Sequence, residues 1–203
     1  MSYVMTTDIG RPRDTRIDAA VLLVTVELLA STGYARLAVD EIARRAGTSK
    51  PAIYRRWPSK AHLVHEAVFP INETTALPDT GSLVGDIREM LRRTAVVLTT
   101  PAARAALPGL IGEMSAVPGL HAALLERFGD LLFHGLADFL REGVRRGEVR
   151  PEVTTDDLIQ ALLGPALTSA FMRGANADGS PDAAMDEYWL DRTAAFITRG
   201  IAA

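Results

Sequence analysis

The sequence contains no cysteine. Disulfides and thiolate metal sites are therefore excluded, and a reducing cytoplasm is the expected setting. Aromatic residues make up only 6% of the 203 residues and histidine occurs four times, so side chains for metal centres are few. There is no phosphate-binding G-x-x-x-x-G-K run, no G-x-G-x-x-G following a strand, and no Ser-His-Asp set with an oxyanion loop. His62, His65 and Glu66 stand in the order H-x-x-H-E, which is neither the zinc-protease order nor its inverse. They read as surface residues of an ordinary helix. No metal, no cofactor and no enzyme activity are expected. No run approaches the roughly 18 apolar residues of a membrane span, and residues 1–12 are polar, without the apolar core of a signal peptide.

Charge of either sign is nearly balanced, with a net of −3, but it is unevenly spread. Residues 1–65 hold ten Lys/Arg against six Asp/Glu, a surplus of +4; the remainder carries −7. A basic head on an acidic body points to a polyanion at one end only.

Hydrophobic spacing is helical almost throughout, so the fold class is all-α. Nine helices are expected. The first runs from Asp14 to Ser31 with Ile17, Val21, Val24 and Leu28 inward, ended by Gly33. Val39 to Ala46 is short and stopped by Gly47; Lys50 to Trp57 follows, with Ser49 as its cap and Pro51 in its first turn. Ser59 opens a fourth helix, ending near Phe69-Pro70. A looser stretch, Ile71 to Gly81, places a boundary between a 1–70 head and a 71–203 body. The body is expected to hold Gly81–Thr99 and Ala102–Met114, the latter bent or broken at Pro108-Gly109. A long amphipathic helix, Leu120–Arg146, follows with Leu124, Phe128, Leu131, Leu132, Leu136 and Phe139 inward, then Thr155–Arg173 and Pro181–Ile201.

The informative segment lies between Gly33 and Leu63. Val39–Ala46, the tight turn Gly47-Thr48-Ser49 and Lys50–Trp57 form a helix-turn-helix. Ile42, Ala43 and Ala46 pack from the first helix against Ile53 and Trp57 from the second, and the small alanines permit a close crossing. The outer face then carries Lys50, Pro51, Ala52, Tyr54, Arg55 and Arg56. These offer cations for phosphates or guanine edges, a phenol for a phosphate, and small apolar groups for thymine methyls. Thr48 and Ser49 in the turn, and Lys60 at the start of the next helix, lie where further phosphates would be held. Arg16 could reach a minor groove with Arg11 and Arg13, or the three could form a plain basic arm; both readings stand.

This head resembles the TetR/AcrR family of bacterial repressors. The resemblance rests on G-Y at Gly33-Tyr34, V-D-E-I-A at Val39–Ala43, A-G-T-S-K-P-A-I-Y-R-R-W at Ala46–Trp57 and P-S-K-x-x-L at Pro58–Leu63. It spans about fifty residues, Arg13 to Leu63. One departure concerns the first helix of the motif. The family usually sets a capping, phosphate-touching hydroxyl just before it, where this chain has Leu37-Ala38; Asp40 or Glu41 should offset part of the lost cap through the helix dipole.

The resemblance implies a homodimeric regulator, expected to be a repressor, that binds a palindromic operator and is released by a small-molecule effector. The alternative is a dimeric DNA-binding regulator without an effector, acting constitutively or through a protein partner. In the body, Asp156–Phe171 resembles a penultimate helix with a central Gly-Pro pair, which in the family packs with the last helix into a four-helix dimer interface. Gly164, Ala166, Thr168, Met172, Tyr188, Trp189 and Phe196 are the residues this implies for the interface. Met90, Met114, His121, Phe128, Leu132, Leu162 and Pro165 are candidates for an effector pocket, with plain core packing the ordinary account of any one of them.

Overall fold

The structure is a computed structural model that describes residues 15–70, 76–128, 134–172 and 185–203, with backbone alone at 125–128 and 172. Ten helices are present among the described residues. The head holds α1 (Thr15–Arg36), α2 (Val39–Arg45), α3 (Lys50–Tyr54) and α4 (Lys60–Val68). The body holds α5 (Leu83–Thr99), α6 (Pro101–Ala116), α7 (Leu120–Phe128), α8 (His134–Arg145), α9 (Thr155–Met172) and α10 (Glu187–Ile201). The expected all-α architecture is what the chain adopts. The single helix expected over 120–146 corresponds to α7 and α8, and their junction at 129–133, with Leu131 and Leu132, lies outside the described residues.

α1 contacts α2, α4 and α6. By length and composition it is apolar enough to cross a bilayer, yet its buried face of Val21, Thr25, Leu28 and Leu29 belongs to the protein's core. Thr25 is fully buried because its hydroxyl donates to the Val21 carbonyl at 2.7 Å, so no polar group is stranded. Ile17, expected inward, is instead 38% exposed. Gly33 does interrupt the helix, with φ 75°, and a last turn resumes from Tyr34 to Arg36.

α5 is capped by Ser82, whose hydroxyl accepts from the Gly85 amide; the buried Asp86 carboxylate accepts from the Thr80 amide and hydroxyl and so ties the preceding segment to the helix. An 86° bend leads into α6, where Thr100 caps and Pro101 occupies the first turn. Of the bend or break expected at Pro108-Gly109, the break does not occur: α6 runs through both residues. An internal proline costs a helix about 3 kcal/mol. Here the helix packs on α1, α4 and α5 and buries Ala102, Ala103, Ala106, Leu107 and Leu110, which outweighs that local preference. α5 lies against α9 and α10, and Arg88 of α5 pairs with Asp191 at 2.6 Å and with Glu187. The chain end is pinned where the Arg150 amide donates to the Ile201 carbonyl and the Ala203 amide to that of Glu148.

Candidate nucleic-acid interface

α2 ends when the Ala46 amide bonds the Ile42 carbonyl at 2.9 Å and the Thr48 amide reaches back to Ala43 at 2.9 Å. Gly47, at φ 67°, makes the reversal between them. Ser49 then adopts an extended conformation and its hydroxyl accepts from the Ala52 amide, capping α3. α3 is shorter than expected, closing at Tyr54, but the Arg56 and Trp57 amides both bond the Ile53 carbonyl and carry the turn onward.

The inward face is as the sequence predicts. Ile53 and Trp57 are each 2% exposed and Ile42 is fully buried, with Ala43 beside it. The Trp57 indole N–H donates to Glu66 of α4 at 2.9 Å, so its polar edge is satisfied and α4 is fastened to the motif.

The outward face presents Ser49, Lys50, Pro51, Tyr54 and Arg55 to solvent, with Thr48 and Ala52 half-buried at its margin. Three of the expected cations have partners within the chain. Lys50 Nζ meets Asp40 Oδ2 of α2 at 2.8 Å, which raises its already high pKa. Arg56 turns back to α1 and pairs with Asp18, both being about two-thirds covered. Lys60 Nζ donates to the Tyr34 carbonyl at 3.1 Å and lies 4.2 Å from the centre of that ring. Arg55 forms no ion pair among the described residues and is exposed. Arg16 is exposed in the first turn of α1, while Arg11 and Arg13 lie outside the described residues. Sequence spacing gives no sign of the Asp18–Arg56 pair, because it depends on how α1 crosses the turn after α3.

Ala38, the residue before α2, has the extended backbone of a cap (φ −106°, ψ 122°) but makes no side-chain capping bond. Asp40 and Glu41 do occupy the first turn. Glu41 accepts from Arg44 and Arg45, and these bonds hold its carboxyl down at about 2.

In the body, Met90 and Leu162 are buried core residues and Met114 is partly buried against the core. His121 is exposed on α7 and does not face the interior. Pro165, expected in an effector pocket, instead lines an open groove of about 640 Å³ between α9 and α10 with Thr168, Ser169, Trp189, Arg192, Thr193, Phe196 and Arg199. That groove gathers Thr168, Trp189 and Phe196 of the expected dimer surface. Phe196 is 72% exposed and Tyr188 70%, and Gly164 faces open space. Ala166 is fully buried and Trp189 nearly so; both serve the chain's own core, because α9 and α10 also pack on α5. Leu132 and the side chains of Phe128 and Met172 lie outside the described residues. No cluster of three metal-ligating side chains occurs among the described residues.

Two family models match this architecture. Residues 21–67 match bacterial regulatory proteins of the tetR family, and residues 77–198 match the tetracyclin repressor-like C-terminal domain. The chain is 35% identical over 155 residues to an uncharacterised HTH-type transcriptional regulator of Mycobacterium tuberculosis, covering 75% of this chain and 73% of that one. It is 34% identical over 165 residues to a DNA-binding transcriptional repressor, TetR, of Mycobacteroides abscessus, covering 74% and 81%. The crystal structure of a TetR family transcription regulator superposes with a TM-score of 0.66 at 27% identity, covering 93% of this chain and all of that one.

Proposed function

The chain belongs to the TetR family of DNA-binding transcriptional regulators, and from that premise we propose that it is a cytoplasmic, homodimeric repressor released from a palindromic operator by a small molecule. Residues 1–70 are the reading head and 71–203 the body that dimerises and takes the effector. The reading rests chiefly on one observation: α3 is anchored from below by Ile53 and Trp57 while Lys50, Tyr54 and Arg55 face outward together. A five-residue helix cannot hold itself in water. Its rigidity comes from the plug beneath it, which leaves the outer side chains free for base edges and phosphates. Two such heads about 34–36 Å apart would enter successive major grooves. The open apolar groove between α9 and α10 supports the second copy as the body's partner. An effector must bind the non-DNA arrangement more tightly than the DNA-bound one, or it shifts nothing.

The test is selection of randomised palindromic duplexes by the wild-type protein, followed by binding of the enriched duplex by variants. Arg55→Ala should weaken binding roughly ten- to hundredfold, the range of one lost bidentate base contact, and Tyr54→Phe should weaken it less. Binding by wild type should fall steeply with salt. Unchanged affinity in Arg55→Ala, or no enrichment at all, would overturn the assignment of this face. The enriched duplex then serves as reporter for a compound library: an effector releases it and raises the melting temperature of the free protein. A library without such a compound favours a regulator that acts constitutively or through a protein partner.

A further inference from the structure

One side chain joins three helices at the meeting of head and body. Tyr34 is 8% exposed and sits just past the break at Gly33. Its ring lies against Gly109 of α6 so closely that a Cβ there would overlap it. Its hydroxyl donates to Glu113 Oε2, four residues further along α6 and therefore on the same face. On its other side, Lys60, the first residue of α4, lies over the ring and donates to the Tyr34 carbonyl. α6 is thus gripped at two points one turn apart, and the start of α4 is tied to the same residue. α4 is fastened in turn to the reading motif through Trp57 and Glu66.

We propose that Tyr34 is a positioning residue for DNA binding: its hydrogen bond to Glu113 and its seat on Gly109 fix the head's angle on α6, and so set the half-site spacing the dimer accepts. Two holds on one rigid helix constrain rotation, where a single contact would act as a pivot. The hydroxyl bond is to a charged acceptor in a partly desolvated place, so it is stronger and more directional than a neutral one. Any rotation at this joint is carried to α3 along the lever of α1 and α4, on both sides of the dimer. A loosened joint should therefore leave each head able to read its half-site while blurring the distance between the two.

The inference rests on the dimeric DNA-binding reading above, and the experiment separates the two. The duplex enriched by wild type is remade with its half-sites moved apart and together by one and two base pairs. Wild type should prefer its own spacing by roughly tenfold or more, and Tyr34→Phe and Glu113→Ala should lose most of that preference, an effect of the size expected of one hydrogen bond to a charged group. Glu113→Gln, whose amide oxygen still accepts from the phenol, should keep it. Equal weakening at all spacings, or a wild-type spacing profile in both variants, overturns the role of Tyr34 while leaving DNA binding intact. A wild-type protein that binds no duplex, or binds all spacings alike, overturns the underlying reading as well. Because the chain lacks cysteine, a Glu27→Cys label on the exposed side of α1 gives a readout without DNA. Electron-resonance distances between the two labels should broaden in Tyr34→Phe and Glu113→Ala but not in Glu113→Gln; an unchanged distribution counts against the proposal. Circular dichroism confirms that each variant is folded.

Discussion

At the scale of single residues, the cations of the head differ in how firmly the chain holds them. Lys50 and Asp40 are both well exposed, and such a solvated pair adds little to stability. The ammonium can exchange its carboxylate for a phosphate at little cost. Arg56 and Asp18 are about two-thirds covered, and one Asp18 oxygen has no hydrogen-bond partner and no solvent contact. Removing Arg56 would weaken the compensation of that carboxylate, so the pair ties α1 to the turn after α3. Arg55 is exposed where Arg56 is half-covered, a distinction that two adjacent arginines in a sequence cannot reveal, and the proposed reading face therefore rests more on Arg55. A fork of Arg44 and Arg45 on Glu41 makes a pH prediction. Two arginine side chains hold its carboxyl at about 2, below the ordinary 4.5. A depressed carboxyl favours the folded state above its unfolded pKa, and the contribution fades as pH falls from about 4.5 towards 2. Carboxyl NMR of the intact protein should show Glu41 titrating near 2 at low salt. Arg44→Ala should move the midpoint up, and so should high salt, because the site is open to solvent. A midpoint near 4.5 in the wild type would show that the fork does not persist in solution.

At the scale of helices, α2 and α3 form a pair with unequal ends. α3 has its Ser49 cap and its Pro51, whereas α2 begins at Ala38 with cap-like dihedrals and no capping side chain. Ala38→Ser should therefore supply the missing acceptor without moving the backbone, stabilising the fold by about 1 kcal/mol. Thermal unfolding would show a raised midpoint, and binding to the enriched duplex should strengthen if the hydroxyl also meets a phosphate. A lowered midpoint would mean that Ala38 is not the cap position in solution. The contrast also shows what was legible beforehand. Ser49, Pro51 and Gly47 act through local backbone chemistry, so the turn and the inward plug of Ile53 and Trp57 could be read from the sequence. Pro108 does not break α6, because its local cost is overridden by packing on α1, α4 and α5 that no short window contains. Pro165 and Ala166 are neighbours in sequence, yet one lines the outer groove and the other is buried; the helix face that α5 covers decides between them. Lys50 is exposed while Lys60 and Arg56 are half-buried, and the partners that hold the three lie 10, 26 and 38 residues away in sequence.

At the scale of the whole molecule, the charge asymmetry and the exposed aromatics divide the surface. The basic surplus lies with the head, and among the described residues the most exposed large apolar side chains, Phe196 and Tyr188, lie on α10. An aromatic ring left more than two-thirds in water beside an apolar groove is costly for a monomer and useful in a self-complementary contact. Arg192 sits 5.7 Å from the Tyr188 ring centre, within cation–ring range. The family's dimeric habit and this surface together make Phe196 the sharpest place to break the assembly without touching the head. Two-fold symmetry would present Phe196 once from each protomer, so a single substitution removes two buried rings. At about 1.5–3 kcal/mol for each, Phe196→Arg should weaken dimerisation by about a hundredfold or more. Sedimentation at micromolar concentration should then show monomer where wild type is dimeric, with the helical circular dichroism unchanged. Operator binding should become steeply concentration-dependent. If Phe196→Arg sediments as wild type does, the groove between α9 and α10 is not the dimer surface, and the two heads must be held together through another face of the body.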